Sequence, residues 1–159
     1  MQRIQHIVNG QPYAGAACRV GPVFNPATGE QASEVLLAAA AEVDAAVQAA
    51  RAALPAWSAL PPLRRARIMF RFNELILKHE TELAELITAQ HGKTVPDARG
   101  DILRGREVVE FACGIPHLLK GDFTEDVGTG VDAFSTRQPV GVCAGITPFN
   151  FPAMIPMWM

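Results

Sequence analysis

The run from Val140 to Thr147 constrains this chain more than any other feature. Val140, Val142, Cys143, Ala144 and Ile146 are nearly all apolar and do not alternate with polar residues. A strand with one face in water alternates, so this run suits a strand buried on both faces, as in a parallel α/β sheet. A parallel strand needs a crossover and neighbours to pair with. Those neighbours are expected beyond residue 159, which makes the chain a fragment of a larger, truncated fold. The run ends at Pro148-Phe149-Asn150-Phe151-Pro152. The end of a parallel strand is where α/β sheets place ligands.

The rest of the chain sets bounds on what can bind there. With 159 residues, 49% hydrophobic and 19% charged, it is long enough for one domain with a real core. A formal net charge of -2 implies no basic face, so nucleic acid is not an expected partner. Arg64, Arg65, Arg67 and Arg71 do cluster, but they alternate with Ile68, Phe72, Leu75 and Ile76 at helical spacing and read as a solvated helix face. Cys18, Cys113 and Cys143 are an odd, scattered set without disulfide or zinc spacing. No metal site and a reducing cytoplasm are expected. The first residues lack the apolar core of a signal peptide. The Ala-rich stretch 36–53 is interrupted by Glu42, Asp44, Gln48 and Arg51, so no membrane span is expected.

Along the chain, Ile4 to Val8 reads as a short strand, and Asn9-Gly10 as a hairpin turn. Arg19 to Phe24 and Glu34 to Ala38 form a second strand pair around the turn residues Asn25 to Gly29. Val43, Ala46, Val47, Ala50 and Leu54 lie on one helix face. Pro55 and then Pro61-Pro62 are expected to end that helix and open the next. Leu63 to His79 carries the stripe Ile68, Phe72, Leu75 and Ile76. Glu82 to His91 follows, with Leu83, Leu86 and Ile87 inward and Gly92 as its stop. Thr94 begins a further helix with a capping-box-like start, which buries Ala98, Ile102, Val109, Ala112 and Cys113. Gly121 to Gly130 is expected to be a loop, and Ala133 to Gln138 a strand.

Asn150 is the candidate for chemistry. Its amide N–H groups can bind a developing oxyanion, and the flanking prolines restrict the backbone that aims it. The competing expectation is that Asn150 caps the helix behind it.

Several segments in fixed order carry a resemblance. Pro139-Val-Gly-Val and Ile146-Thr-Pro-Phe-Asn-Phe-Pro152 resemble the aldehyde dehydrogenase segment that runs from the first cofactor-domain strand into its turn. Phe24-Asn-Pro-Ala-Thr-Gly-Glu30 is similar to that family's hairpin, Val43 to Trp57 to its Ala-rich helix, and Gly92-Lys93-Thr94 to its helix end. The resemblance covers nearly the whole chain. It implies the N-terminal part of an aldehyde dehydrogenase fold, in which β-hairpins and a helical layer precede the first strand of a Rossmann-like NAD-binding sheet. Residues 1–132 would belong to the NAD-binding domain, 133–139 to an oligomerisation-arm strand, and 140–159 to the incomplete Rossmann-like core.

The resemblance also implies roles. Asn150 would share the oxyanion hole with the backbone N–H of a cysteine nucleophile, and Thr147 and Phe149 would lie beside the NAD ribose and nicotinamide. The nucleophile is not among Cys18, Cys113 and Cys143, all read as packing residues, with Cys143 in the buried strand. Phe149, the continuation Ala153 to Met159, and the segments 96–101 and 108–116 resemble the methylmalonate-semialdehyde type, in which coenzyme A rather than water resolves the thioester. Such a substrate carries a carboxylate that a guanidinium binds with two parallel hydrogen bonds. Of Arg99, Arg104 and Arg106 on one helix, Arg104 matches the position lining the acyl tunnel. A homotetramer is implied for the full-length enzyme. A hydrolytic, succinate-semialdehyde type and a non-catalytic oligomerising fragment are the alternatives.

Overall fold

A computed structural model describes residues 2–16 and 19–159. The N-terminal quarter is built from short strands. β1 (Gln2–Ile4), β2 (His6–Val8), β3 (Gln11–Tyr13), β4 (Val20–Phe24) and β5 (Gln31–Leu36) form two small sheets. Asn9 and Gly10 have φ of 53° and 73° and close the β2–β3 hairpin, with His6 opposite Tyr13. Positive φ at both turn residues is what a two-residue type I′ hairpin requires, and Asn-Gly supplies it at little cost. β4 and β5 pair antiparallel, and β1 pairs parallel with β5, giving the order β1-β5-β4. The segment expected as one strand from Ile4 to Val8 therefore divides at Gln5. Its first half belongs to one sheet and its second half to the other.

The helices follow as α1 (Ala40–Ala59), α2 (Pro62–Lys78), α3 (Glu80–His91), α4 (Val95–Cys113) and the single turn α5 (Ile115–Leu118). At the start of α1 the buried Glu42 carboxylate accepts from the Ala39 and Ala16 N–H groups, each at 2.9 Å. Pro55 does not end α1, contrary to expectation. It lies inside the helix, which runs on to Ala59. The hydrogen bond it removes is on an exposed helix, where water can serve the orphaned carbonyl. The true stop is Pro61, which forces Leu60 before it into extended backbone (ψ 132°). Gly92, at φ 86°, caps α3 in the left-handed region, and the Thr94 hydroxyl accepts from the Asp97 N–H at the start of α4.

The core lies where α2, α3 and α4 meet. Ile76, Ala84, Ile87, Ala98, Ile102 and Val109 are buried together, with Ile102 and Val109 at 1% exposure. The final helix α6 (Met154–Trp158) packs against α4 through buried Met154 and the partly buried Met157. Much of the apolar stripe expected inside is not. Ile68, Phe72, Leu75 and Leu86 are exposed, and Phe72 and Leu86 line an open apolar groove of about 720 Å³. Arg64, Arg67 and Arg71 are exposed as expected, and Arg65 is half-buried.

Two further expectations fail in the last third. Residues 121–130 are not a loop: β6 (Phe123–Gly128) pairs with β7 (Val131–Phe134), and Phe123 faces Phe134. Gly130, at φ 69°, turns the chain between them. The strand expected at Ala133 to Gln138 thus begins earlier and ends at Phe134. Every residue of this hairpin is exposed, so the sequence carries no alternating burial pattern to mark it. The Val140 to Thr147 run forms no strand here, and Val140 and Ile146 are 95% exposed. A strand exists through the bonds it makes to neighbours, and among the described residues nothing pairs with this one.

Candidate active site at the Pro148–Pro152 turn

The turn is held from below by the helical layer. The Lys93 ammonium donates to the Asn150 carbonyl oxygen at 2.9 Å and lies 4.9 Å from the centroid of the Phe151 ring. Its side chain is 6% exposed. Two residues past the turn, the Ala153 and Met154 N–H groups donate to the Asp101 carboxylate at 3.2 and 3.0 Å. Asp101 is itself buried in α4. The Phe149 ring stacks on His91 at 6.1 Å between centroids and 27° between planes.

These contacts answer the question of what Asn150 does locally. α6 begins at Met154, and its N-cap residue Ala153 supplies no side-chain cap. Asp101 satisfies its first N–H groups, so the capping role considered for Asn150 is already filled. Asn150 is exposed, with its backbone fixed by Lys93 and by the prolines on either side. Thr147, Phe149 and Asn150 belong to one continuous exposed segment.

Lys93 falls in a segment that carries the family resemblance, but nothing in the sequence marks it or Asp101 as part of the site. Asp101 does carry a signal of burial. It falls on the same helix stripe as Ala98, Ile102 and Val109, where a carboxylate must find partners to be buried. Gly105 shares that stripe, and a Cβ there would lie 3.1 Å from the Met154 Cα and 2.7 Å from the Met157 sulfur. The absence of a side chain at 105 is what lets α6 sit against α4.

Arg104, next to Gly105, is exposed. Arg99 pairs with Glu80 at 3.9 Å and Arg106 with Glu110 at 3.2 Å, and among the described residues no ion pair engages Arg104. Cys113 is buried, as expected. Its burial, together with the Glu110 carboxylate nearby, pushes the thiol's pKa above its ordinary value, which disfavours the reactive thiolate. Cys143 is exposed rather than buried, because among the described residues the run that carries it pairs with no strand, and its thiol donates to the Gly141 carbonyl at 3.7 Å. Cys18 lies outside the described residues. Among the described residues no cluster of three or more His, Cys, Asp or Glu could hold a metal, and no helix is long and apolar enough to cross a membrane.

The order of hairpins, helical layer and proline-flanked turn is that of the N-terminal part of aldehyde dehydrogenase structures. The aldehyde dehydrogenase family profile matches residues 14–159, and the chain belongs to that family. Over its whole length it is 48% identical to the malonate-semialdehyde dehydrogenase of Pseudomonas aeruginosa, of which it covers 32%. It is also 48% identical, over 99% of its length, to the acylating, mitochondrial methylmalonate-semialdehyde dehydrogenase of Arabidopsis thaliana, covering 26% of that protein. A solved methylmalonate-semialdehyde dehydrogenase from Oceanimonas doudoroffii superposes on the entire chain with a TM-score of 0.96 at 51% identity, the match spanning 32% of that structure. An NAD complex from Sinorhizobium meliloti, described as an enzyme of the same type, does so with 0.96 at 54% identity, again over 32% of its chain. The chain therefore spans about a quarter to a third of the length of these relatives.

Proposed function

We propose that this chain contributes to an NAD-dependent, CoA-acylating dehydrogenase that oxidises methylmalonate semialdehyde, and malonate semialdehyde as well, with loss of the carboxylate, to propanoyl-CoA and acetyl-CoA. Such a reaction belongs to valine- and inositol-type catabolism. The observation that carries this reading is identity of about half, across essentially the whole chain, with relatives of that type. In the reading, the Asn150 amide donates to the oxyanion that forms as the aldehyde is attacked by a cysteine outside this chain. Thr147 and Phe149 form one wall of the NAD site. That role suits Phe149, whose 83% exposed ring offers a flat apolar face for a planar group to cover. NAD, when bound, supplies the hydride acceptor. Coenzyme A resolves the acyl-enzyme.

Arg104 binds the carboxylate of the substrate. Arg104 is exposed and, among the described residues, engaged in no ion pair, whereas Arg99 and Arg106 are paired, which favours it over them. In the complete enzyme, Arg104→Ala is expected to raise KM for a carboxylated semialdehyde at least tenfold, the scale of a lost charge-assisted hydrogen-bond pair. KM for propanal should change little. Equal effects on both aldehydes would remove Arg104 from the site. The acylating class is tested in the same assay: thioester product should require CoA, whereas free acid formed without it would favour a hydrolytic enzyme of the succinate-semialdehyde type.

The working enzyme is proposed to be a cytoplasmic homotetramer. The wholly exposed β6–β7 hairpin, with Phe123 and Phe134 open to solvent, supports an oligomerising role for this region. Residues 1–159 alone are proposed to be inactive, since none of Cys18, Cys113 and Cys143 matches the family's nucleophile position and Cys113 is buried with its thiolate disfavoured. NADH production by the isolated chain from NAD, CoA and semialdehyde would overturn that statement.

A further inference from the structure

We infer that Lys93 and Asp101 are positioning residues for Asn150, holding its turn at two points along the chain so that the amide is aimed before substrate arrives. The inference rests on the oxyanion role of Asn150 proposed above. Lys93 lies at the junction of α3 and α4, directly after the left-handed Gly92 that fixes where the chain leaves α3. Its stem is buried, and its ammonium has two partners in the turn: the carbonyl of Asn150 itself and the face of Phe151. A cation over a ring and a charge-assisted bond to a carbonyl are each stronger out of water than in it. Asp101 acts a few residues further along the chain. Its two oxygens take two successive N–H groups, which locks the path of residues 153 and 154 relative to α4. Gly105 then allows α6 to lie flush. Asn150 is thus held at its own carbonyl by Lys93 and stands three residues before the nearer N–H that Asp101 holds.

Oxyanion stabilisation depends on placement, because a donor must reach the position the oxygen will occupy and not the ground-state carbonyl. A displacement of about 1 Å can cost about 100-fold in rate. Lys93→Met keeps most of the apolar stem but removes the terminal ammonium and its charge. Asp101→Asn keeps the shape but turns an amide NH2, a donor, towards one of the two N–H groups. In the complete enzyme, each is expected to slow single-turnover NADH formation from propanal by about 10- to 100-fold, with KM for NAD nearly unchanged. Thermal melts accompany each variant.

The deciding readout is the double substitution. If these residues act through Asn150, Lys93→Met or Asp101→Asn added to Asn150→Ala slows the reaction no further than Asn150→Ala alone. Losses that multiply would mean a general structural role and overturn the inference. So would normal rates in both single variants when Asn150→Ala is slow. A normal rate in Asn150→Ala would instead overturn the oxyanion reading itself, so the two failures are distinguishable.

Discussion

Asn150→Ala in the complete enzyme is expected to lower kcat for aldehyde oxidation by about 100- to 1,000-fold, or about 3–4 kcal/mol of barrier, the usual loss for one oxyanion donor. KM for the aldehyde should hardly move. The charge that the amide meets develops only in the transition state, so its removal costs little ground-state binding. Asn150→Asp should be at least as slow, since a carboxylate replaces the donor with a like charge. Stopped-flow NADH absorbance measures both. A rise in KM with kcat intact would show that Asn150 binds the substrate without assisting the chemistry, and the oxyanion role would be lost.

Ile102→Ala is the second large effect, and it concerns stability. Ile102 is among the most fully buried large side chains, and it lies at the centre of the α2–α3–α4 core. Removing that much buried hydrocarbon costs about 2–5 kcal/mol, depending on how far the neighbours close the gap. Small domains have only about 5–15 kcal/mol in total, so the melting temperature of this chain should fall by roughly 5–20 °C. Ile146→Ala serves as the contrast. At 95% exposure it should change stability by no more than about 0.5 kcal/mol here. A loss at Ile146 similar to that at Ile102 would mean that the run at residues 140–147 is packed.

The same pair of isoleucines shows what the sequence can and cannot reveal. Ile102 was legible because its helix carries its own period: Ala98, Ile102 and Val109 recur on one face, and that face is covered by α2, α3 and α6 from within the chain. The Asn9-Gly10 hairpin, the Gly92 stop and the Thr94 cap were legible because each is decided by a few adjacent residues. Ile146 was read as buried because its composition fits a sheet interior, but composition states what a strand needs and not whether its neighbours are present. Phe72 and Leu86 were misread for the same reason. The β6–β7 hairpin escaped because a two-stranded ribbon open on both faces has no burial period to leave in its sequence.

The candidate site divides along the same line. Pro148 to Pro152 announced itself by its prolines and its place after an apolar run. Its supports did not, because Lys93 and Asp101 are distant in sequence and their partners are backbone groups, which leave no trace in residue identity. Only the presence of an acid on an apolar helix stripe hinted at Asp101.

The separation between Asp101 and the N–H groups it holds, 52 and 53 residues, also has a temporal meaning. A ribosome adds about 5–20 residues per second, and chains fold from the N-terminal side as they emerge. The helices that form the core are neighbours in sequence, and such local contacts assemble fast, in microseconds to milliseconds. Asp101 therefore leaves the ribosome roughly 3–10 s before the segment it will hold. During that interval its carboxylate has no N–H partners and must remain hydrated. The arrival of Ala153 and Met154 is what dehydrates it, so docking of the turn and burial of the acid become one event.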